Sequence, residues 1–359
     1  MTRKRQRFWI LFILILTWVS NSEKAIAQQK SKWRIKNRLQ ASYEYDDNIR
    51  EDPGDTLNLI NDSSLRFLFH SRTSRISPDT RLILTYRGGL QTYFQNANEN
   101  KLINEFEFIS GLKIQKFVLG IRAFGHLKIY LNDILDYDSG SAEVYLQLPP
   151  FLNFRNEISV QTSGLNYQNF STFNYSENQV SWSISKKIAS RLSGMFALSG
   201  KQVNYDRSVI DFTLEQPTNF FEVKLRDHNF KAQFQLNYTQ SFLINFNYTF
   251  QRNNSNSRVY EYDKHQLTLI FGFPLMRGLW LRGYGAVQFK NYVEETIPIF
   301  LLDIDTEREE SNFLILDLSK DLSPNLTALL RFAHYDNESI IRSRFYRKNL
   351  ITLGFDFRF

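Results

Sequence analysis

From Ile351 to Phe359 every second residue is apolar, with Thr352, Gly354, Asp356 and Arg358 between them. Side chains of a strand alternate in direction with a period of two, so this run has one continuous apolar face and one polar face. The apolar face ends on an aromatic, Phe359. A strand in a soluble sandwich buries such a face against a second sheet, whereas a strand at the wall of a membrane barrel turns it to lipid and bounds it with aromatic belts.

The same alternation recurs along the chain. From Trp33 to Tyr45 the odd positions are mostly apolar and the even ones polar or charged. Phe230, Phe234, Leu236 and Tyr238 share one face of the segment 227–238, and Phe242, Ile244, Phe246, Tyr248 and Phe250 share a face of the next. No apolar stripe at helical spacing interrupts the series. Short connections centre on Ser77-Pro78-Asp79, Gln115-Lys116, Pro149-Pro150, Ala189-Ser190, Gln240-Ser241, Pro274 to Gly278 and Ser323-Pro324-Asn325. Longer polar ones fall at 46–62, 95–101, 131–140, 169–177, 206–226, 253–261, 293–311 and 336–346. Seven short and eight long connections in alternation predict an all-β, transmembrane, antiparallel up-and-down β-barrel of about 16 strands. Fourteen strands is the other count, because the segment around 141–150 is short and holds two prolines. A large β-sandwich with a phenylalanine-rich core is the competing architecture.

The first residues carry Arg3, Lys4, Arg5 and Arg7, then an apolar run from Phe8 to Val19, then Ala25-Ile26-Ala27. This is the order of a secretory signal with an A-x-A cleavage site, and the run is short for a spanning helix. Residues 1–27 are therefore read as a cleaved signal and 28–359 as a single barrel domain. The sequence contains no cysteine, which excludes a disulfide, a thiolate nucleophile and cysteine metal ligands.

Aromatic residues make up 15% of the chain, including 32 Phe and 18 Tyr, and they sort by strand end. Tyr43, Tyr45, Tyr93, Phe94, Tyr130, Tyr167, Phe170, Tyr205, Tyr260, Tyr262, Tyr292 and Tyr335 lie where strands meet long loops. Trp33, Phe117, Phe151, Phe154, Trp280 and Phe359 lie near short turns. Two lipid-facing belts are the expectation.

Function in a barrel lies in the lumen and the loops. The lumen-lining candidates are Arg34, Lys36, Arg38, Arg66, Arg81, Arg87, Arg122, Lys128, Arg282 and Arg331; basic residues exceed acidic ones on these polar faces, which leans the lumen toward anions. Phe212, Phe220 and Phe221 in the loop at 206–226 are candidates to fold inward as a constriction, or else to extend a hairpin above the membrane. The loop at 46–62 carries net −5 and the stretch 293–311 net −6. Both are expected to be solvated, repulsive faces; Ca²⁺ binding is the alternative, though EF-hand spacing is absent. The expected function is a channel or porin for polar solutes or surface polysaccharide, with no cofactor and no nucleic-acid partner. A plugged structural, surface-assembly or adhesive barrel is the alternative.

An outer-membrane enzyme is disfavoured. Barrel phospholipases and lipid A deacylases pair a serine with a histidine, in a His-x-Ser pattern. No histidine here has a serine two residues later, and the position two before Ser255 is Asn253. Asp263-Lys264-His265 resembles the Asp-x-His pair of barrel aspartyl-type proteases, but it stands alone at a strand start.

Tyr43-Glu44-Tyr45-Asp46-Asp47-Asn48-Ile49 resembles the opening of a barrel porin family associated with exopolysaccharide and capsule loci. The segment Tyr248 to Ser257, followed by Tyr260-Glu261-Tyr262-Asp263-Lys264-His265, resembles a strand–loop–strand signature of those barrels. That signature is shared with the barrel domain of surface lipoprotein assembly modifiers, whose N-terminal helical repeat domain this chain lacks. Phe359 resembles the aromatic assembly signal of bacterial outer-membrane proteins. These likenesses imply an outer-membrane channel of a Gram-negative cell with both termini periplasmic. Its implied partners are membrane lipids, lipopolysaccharide, the barrel assembly machinery and polysaccharide export components.

Overall fold

Sixteen alternating segments become sixteen strands, each hydrogen-bonded to its neighbours in sequence order. The computed structural model describes residues 33–51, 59–131, 136–210, 222–293, 312–337 and 346–359. The strands are β1 (Trp33–Asp46), β2 (Asp62–Ile76), β3 (Thr80–Tyr93), β4 (Lys101–Ile114), β5 (Phe117–Tyr130), β6 (Tyr137–Phe151), β7 (Phe154–Tyr167) and β8 (Tyr175–Lys187). They continue as β9 (Leu192–Ile210), β10 (Glu222–Thr239), β11 (Leu243–Ser255), β12 (Tyr262–Met276), β13 (Leu279–Tyr292), β14 (Asn312–Asp321), β15 (Leu326–Asn337) and β16 (Tyr346–Arg358). All pairings are antiparallel, and β1 pairs with β16 from Arg38↔Arg358 to Asp46↔Leu350, which closes the barrel and leaves no free sheet edge.

Residues opposite each other in an antiparallel ladder point to the same side, so the register carries one face around the whole barrel. One face holds Leu39, Phe67, Phe106, Val160, Phe234, Leu353 and Phe355, all exposed. So large an apolar surface is stable only against lipid. The apolar stripes Phe230–Tyr238, Phe242–Phe250 and Ile351–Phe359 are each nine residues long. That matches the ~9–11 residues a tilted strand needs to cross a bilayer. Phe359 lies on this outward face and stacks on Phe357, with ring centroids 5.5 Å apart.

Two details depart from the sequence reading. The turn between β6 and β7 is Leu152-Asn153, with φ of 50° and 65°, rather than Pro149-Pro150. Both central residues of this two-residue turn are at positive φ, as a type I′ hairpin requires, and proline, fixed near about −65°, cannot take that place. The prolines lie inside β6, where the register shifts between Leu148 and Phe151 and relaxes the ladder.

The second departure is the 206–226 segment. Strands β9 and β10, 19 and 18 residues long, carry the ladder up to Ile210 and down from Glu222. Outward residues beyond the apolar stripe, Gln202, Asn204, Arg226 and His228, are polar, so this hairpin rises out of the lipid band. A bulge between Lys224 and Arg226 leaves Leu225 fully buried, packed with Tyr205, Val223 and Tyr260.

Candidate channel lumen

All ten lumen candidates fall on the inward face. Arg38 is level with His70, and His70 with Arg87; Arg66 is level with Gln91. Arg122 faces Glu143 across β5 and β6, Lys128 faces Tyr137, Arg282 faces Asp317 and Arg331 faces Asp317 from the other side. Arg34, Lys36 and Arg81 lie on the same face nearer the short turns. The constriction candidates Phe212, Phe220 and Phe221 lie outside the described residues, as do residues 1–32 and 294–311.

The inward face differs from wall to wall. Around β1–β5, with β6 and β7 beside them and β14–β16 across the seam, it is charged. Glu44, buried, accepts from Arg66, from Gln91 Nε2 at 3.0 Å and from Thr352 Oγ1 at 2.9 Å. Arg38 pairs with Asp356, and Arg87 lies 3.1 Å from Glu105 and 3.6 Å from Glu107. Arg122 donates to Glu143 at 3.0 Å and Glu157 at 2.8 Å, while its guanidinium lies 3.9 Å from the Tyr145 ring centroid. Tyr145 lies flat over Gly120 and donates to Ser110 O at 3.2 Å. A Cβ at Gly120 would come 2.2 Å from the Tyr145 ring and 2.4 Å from Ser110 O, so only glycine leaves room. Arg331 forms a bidentate pair with Asp317 at 2.6 and 2.8 Å.

Around β8–β12 the inward face is mainly amide and hydroxyl: Gln179, Ser181, Ser183, Ser199, Gln233, Gln235, Asn245, Asn247, Thr249 and Gln251. Gln233 Nε2 donates to Asn247 Oδ1 at 2.9 Å, and Gln251 Nε2 to Tyr262 OH at 3.0 Å. Charged residues are fewer here: Lys201, paired with Glu177 at 3.0 Å, and Asp227, Lys231 and Lys264. A cavity of about 740 Å³ opens toward the short-turn end of β10–β16; its lining includes Trp280, Arg282, Asp317, Arg331 and Arg358.

The two mouths also differ. At the short-turn end Arg34, Lys36, Arg72, Arg81, Lys113, Arg155 and Lys187 are inward by register and exposed, and among the described residues none forms an ion pair. Arg358 joins them, with a 3.3 Å hydrogen bond to Thr327. At the long-loop end the register turns Tyr93, Tyr130, Tyr167, Tyr205, Tyr262, Tyr292 and Tyr335 inward, whereas Tyr43 and Tyr45 face out. The expected outer lipid belt is thus largely a luminal tyrosine lining. Trp280, level with Ser319, likewise faces the lumen.

Acids of the 46–62 connection that fall among the described residues are not a solvated face. Asp46 binds Lys348 at 2.8 Å and accepts from Asn48 N; Asp47 accepts from Asn349 N and Nδ2 at 2.7 and 2.6 Å. Asp62 accepts from the backbone N–H groups of Ser63, Gln95 and Asn96. Asp263 and His265 lie outward on β12, the first paired with Arg252 at 2.8 Å and the second 2.8 Å from Tyr248 OH.

No protein-family model matches the chain, and no curated protein matches it either. Among solved structures, the high-pH form of Pseudomonas putida OprB is similar over 95% of this chain and 97% of its own, at 9% identity and a TM-score of 0.54. OmpT of Vibrio cholerae, in its trimer form, covers 92% of this chain and 100% of its own, at 8% identity and a TM-score of 0.48. A bacterial polysaccharide outer-membrane secretin covers 90% and 97%, at 9% identity and 0.44. At these identities the likeness is one of fold.

Proposed function

We propose that the protein is an outer-membrane channel that admits anionic solutes or polymers through its short-turn mouth. The observation that carries this is the set of exposed basic side chains along one side of that mouth, on β16, β1–β4 and β7–β8: Arg34, Lys36, Arg72, Arg81, Lys113, Arg155, Lys187 and Arg358, none in an ion pair among the described residues. Clustered like charge at a low-dielectric opening concentrates counter-ions and raises their entry rate. A sixteen-strand barrel is wide enough to leave an aqueous path. On this reading the short turns and both termini face the periplasm, the apolar band is set in lipid beside lipopolysaccharide, and Phe359 serves the assembly machinery.

The test is conductance of the folded barrel in a planar bilayer, with the reversal potential measured across a KCl gradient. The expected result is an open pore that prefers chloride. Reversing Arg34, Arg81 and Lys113 to Glu should move the reversal potential toward cations. A closed barrel would sink the channel reading, and cation selectivity in the wild type would sink the anion preference.

A further inference from the structure

Five adjacent strands, β5 to β9, each reach the long-loop end with a tyrosine turned into the barrel: Tyr130, Tyr137, Tyr167, Tyr175 and Tyr205. Tyr137 and Tyr167 are direct cross-strand partners with ring centroids 5.3 Å apart, and Tyr175 and Tyr205 are partners at 5.9 Å. All five are half-exposed. The outward neighbours of the last four, Asp138, Asn166, Ser176 and Asn204, are polar, while Ile129 and Leu131 flank Tyr130. A belt serving lipid headgroups places its rings outside. Here the rings are inside and the polar groups outside, so the arc does not serve the membrane interface.

Charge and hydrogen-bonding groups are set among the rings. Lys128 Nζ lies 4.9 Å from the Tyr130 centroid and 5.7 Å from that of Tyr137. Directly below the rings the inward residues are Lys128, Ser139, Leu165, Glu177 and Val203; deeper still, Gln161 and Gln179 face each other, with Lys201, paired with Glu177, level with them on the next strand. A tyrosine presents an apolar ring face and a polar tip, and such surfaces suit ligands that are apolar in one direction and wet in the other.

We infer that the Tyr130–Tyr137–Tyr167–Tyr175–Tyr205 arc is a binding lane for an acidic saccharide, a chain of hexopyranose units bearing carboxylates. The C–H faces of the sugar rings lie on the tyrosines, the hydroxyls meet phenol and amide groups, and the carboxylate meets Lys128. A phosphate ligand would call for an arginine fork rather than a row of rings. A lipid would call for a continuous apolar wall, and Lys128, Ser139 and Glu177 interrupt one directly below the arc. This inference deepens the channel reading by naming the cargo class, and its test does not depend on conduction.

The test is isothermal titration of the folded, detergent-solubilised barrel with a polyuronate hexamer and, separately, a neutral glucan hexamer. The wild type is expected to bind the uronate more tightly. Tyr137→Leu with Tyr167→Leu keeps apolar bulk but removes two rings, and should weaken uronate binding about tenfold or more, a change of ~1.4 kcal/mol. Lys128→Met should remove the preference for uronate over glucan. Tyr43→Leu, on the outward face, should change neither. Should the double variant fail to fold, the lysine variant alone decides. No uronate binding by the wild type overturns the inference, as does unaltered binding in the double variant or an unaltered uronate preference in Lys128→Met. Binding without conductance would retain the lane and sink the channel.

Discussion

Between β1 and β5 the inward side chains are tied by ion pairs, whereas between β8 and β12 they are tied mostly by amides and hydroxyls. Glu44 gathers Arg66, Gln91 and Thr352 from three strands into one buried knot. Gln233 and Asn247 share one neutral hydrogen bond. The difference lies in what is left behind when a group is removed. A buried carboxylate holds charge whose partners are stranded without it, while a lost amide leaves neighbours that water can satisfy. Removing a group from the charged wall is therefore expected to cost more than removing one from the amide wall.

Three substitutions separate the walls. Glu44→Ala should have the largest effect, destabilising the barrel by about 3 kcal/mol because the half-buried Arg66 loses its carboxylate and Gln91 and Thr352 each lose a hydrogen bond. Urea unfolding in lipid, followed by tryptophan fluorescence, reads the change directly. Arg122→Met should cost less, about 1–2 kcal/mol, since the guanidinium is partly exposed and its pairs with Glu143 and Glu157 are screened by solvent. The same unfolding curve, repeated in high salt, should bring this variant and the wild type closer together. Gln233→Ala should cost the least, about 1 kcal/mol or below. A loss for Gln233→Ala equal to that for Glu44→Ala would erase the distinction between the walls.

Much of the barrel is legible in the sequence because its signal is periodic. Alternation locates the strands, and the order of short and long connections counts them. What failed was local. Pro149-Pro150 looks like a turn, yet the hairpin turns at Leu152-Asn153, both at positive φ, a conformation closed to proline. The ends of β9 and β10 escape the pattern because the outward face there is polar, with Gln202, Asn204, Arg226 and His228, while Val203 and Tyr205 turn inward. The inward tyrosines were within reach of the same parity rule that located the lumen: Tyr93 is in step with Arg81 and Arg87, Tyr130 with Arg122 and Lys128, Tyr335 with Arg331. Residue type suggested a lipid belt, and parity overrules it.

The Tyr145 ring lying over Gly120 has a mechanical consequence. It occupies a place on the wall that has no side chain of its own, and it supports Arg122 from below at 3.9 Å while Glu143 and Glu157 hold it from the side. An arginine on a free stem sweeps a wide arc and adapts to whatever passes. This one is held by the Tyr145 ring and two carboxylates, which restricts the arc its guanidinium sweeps into the lumen.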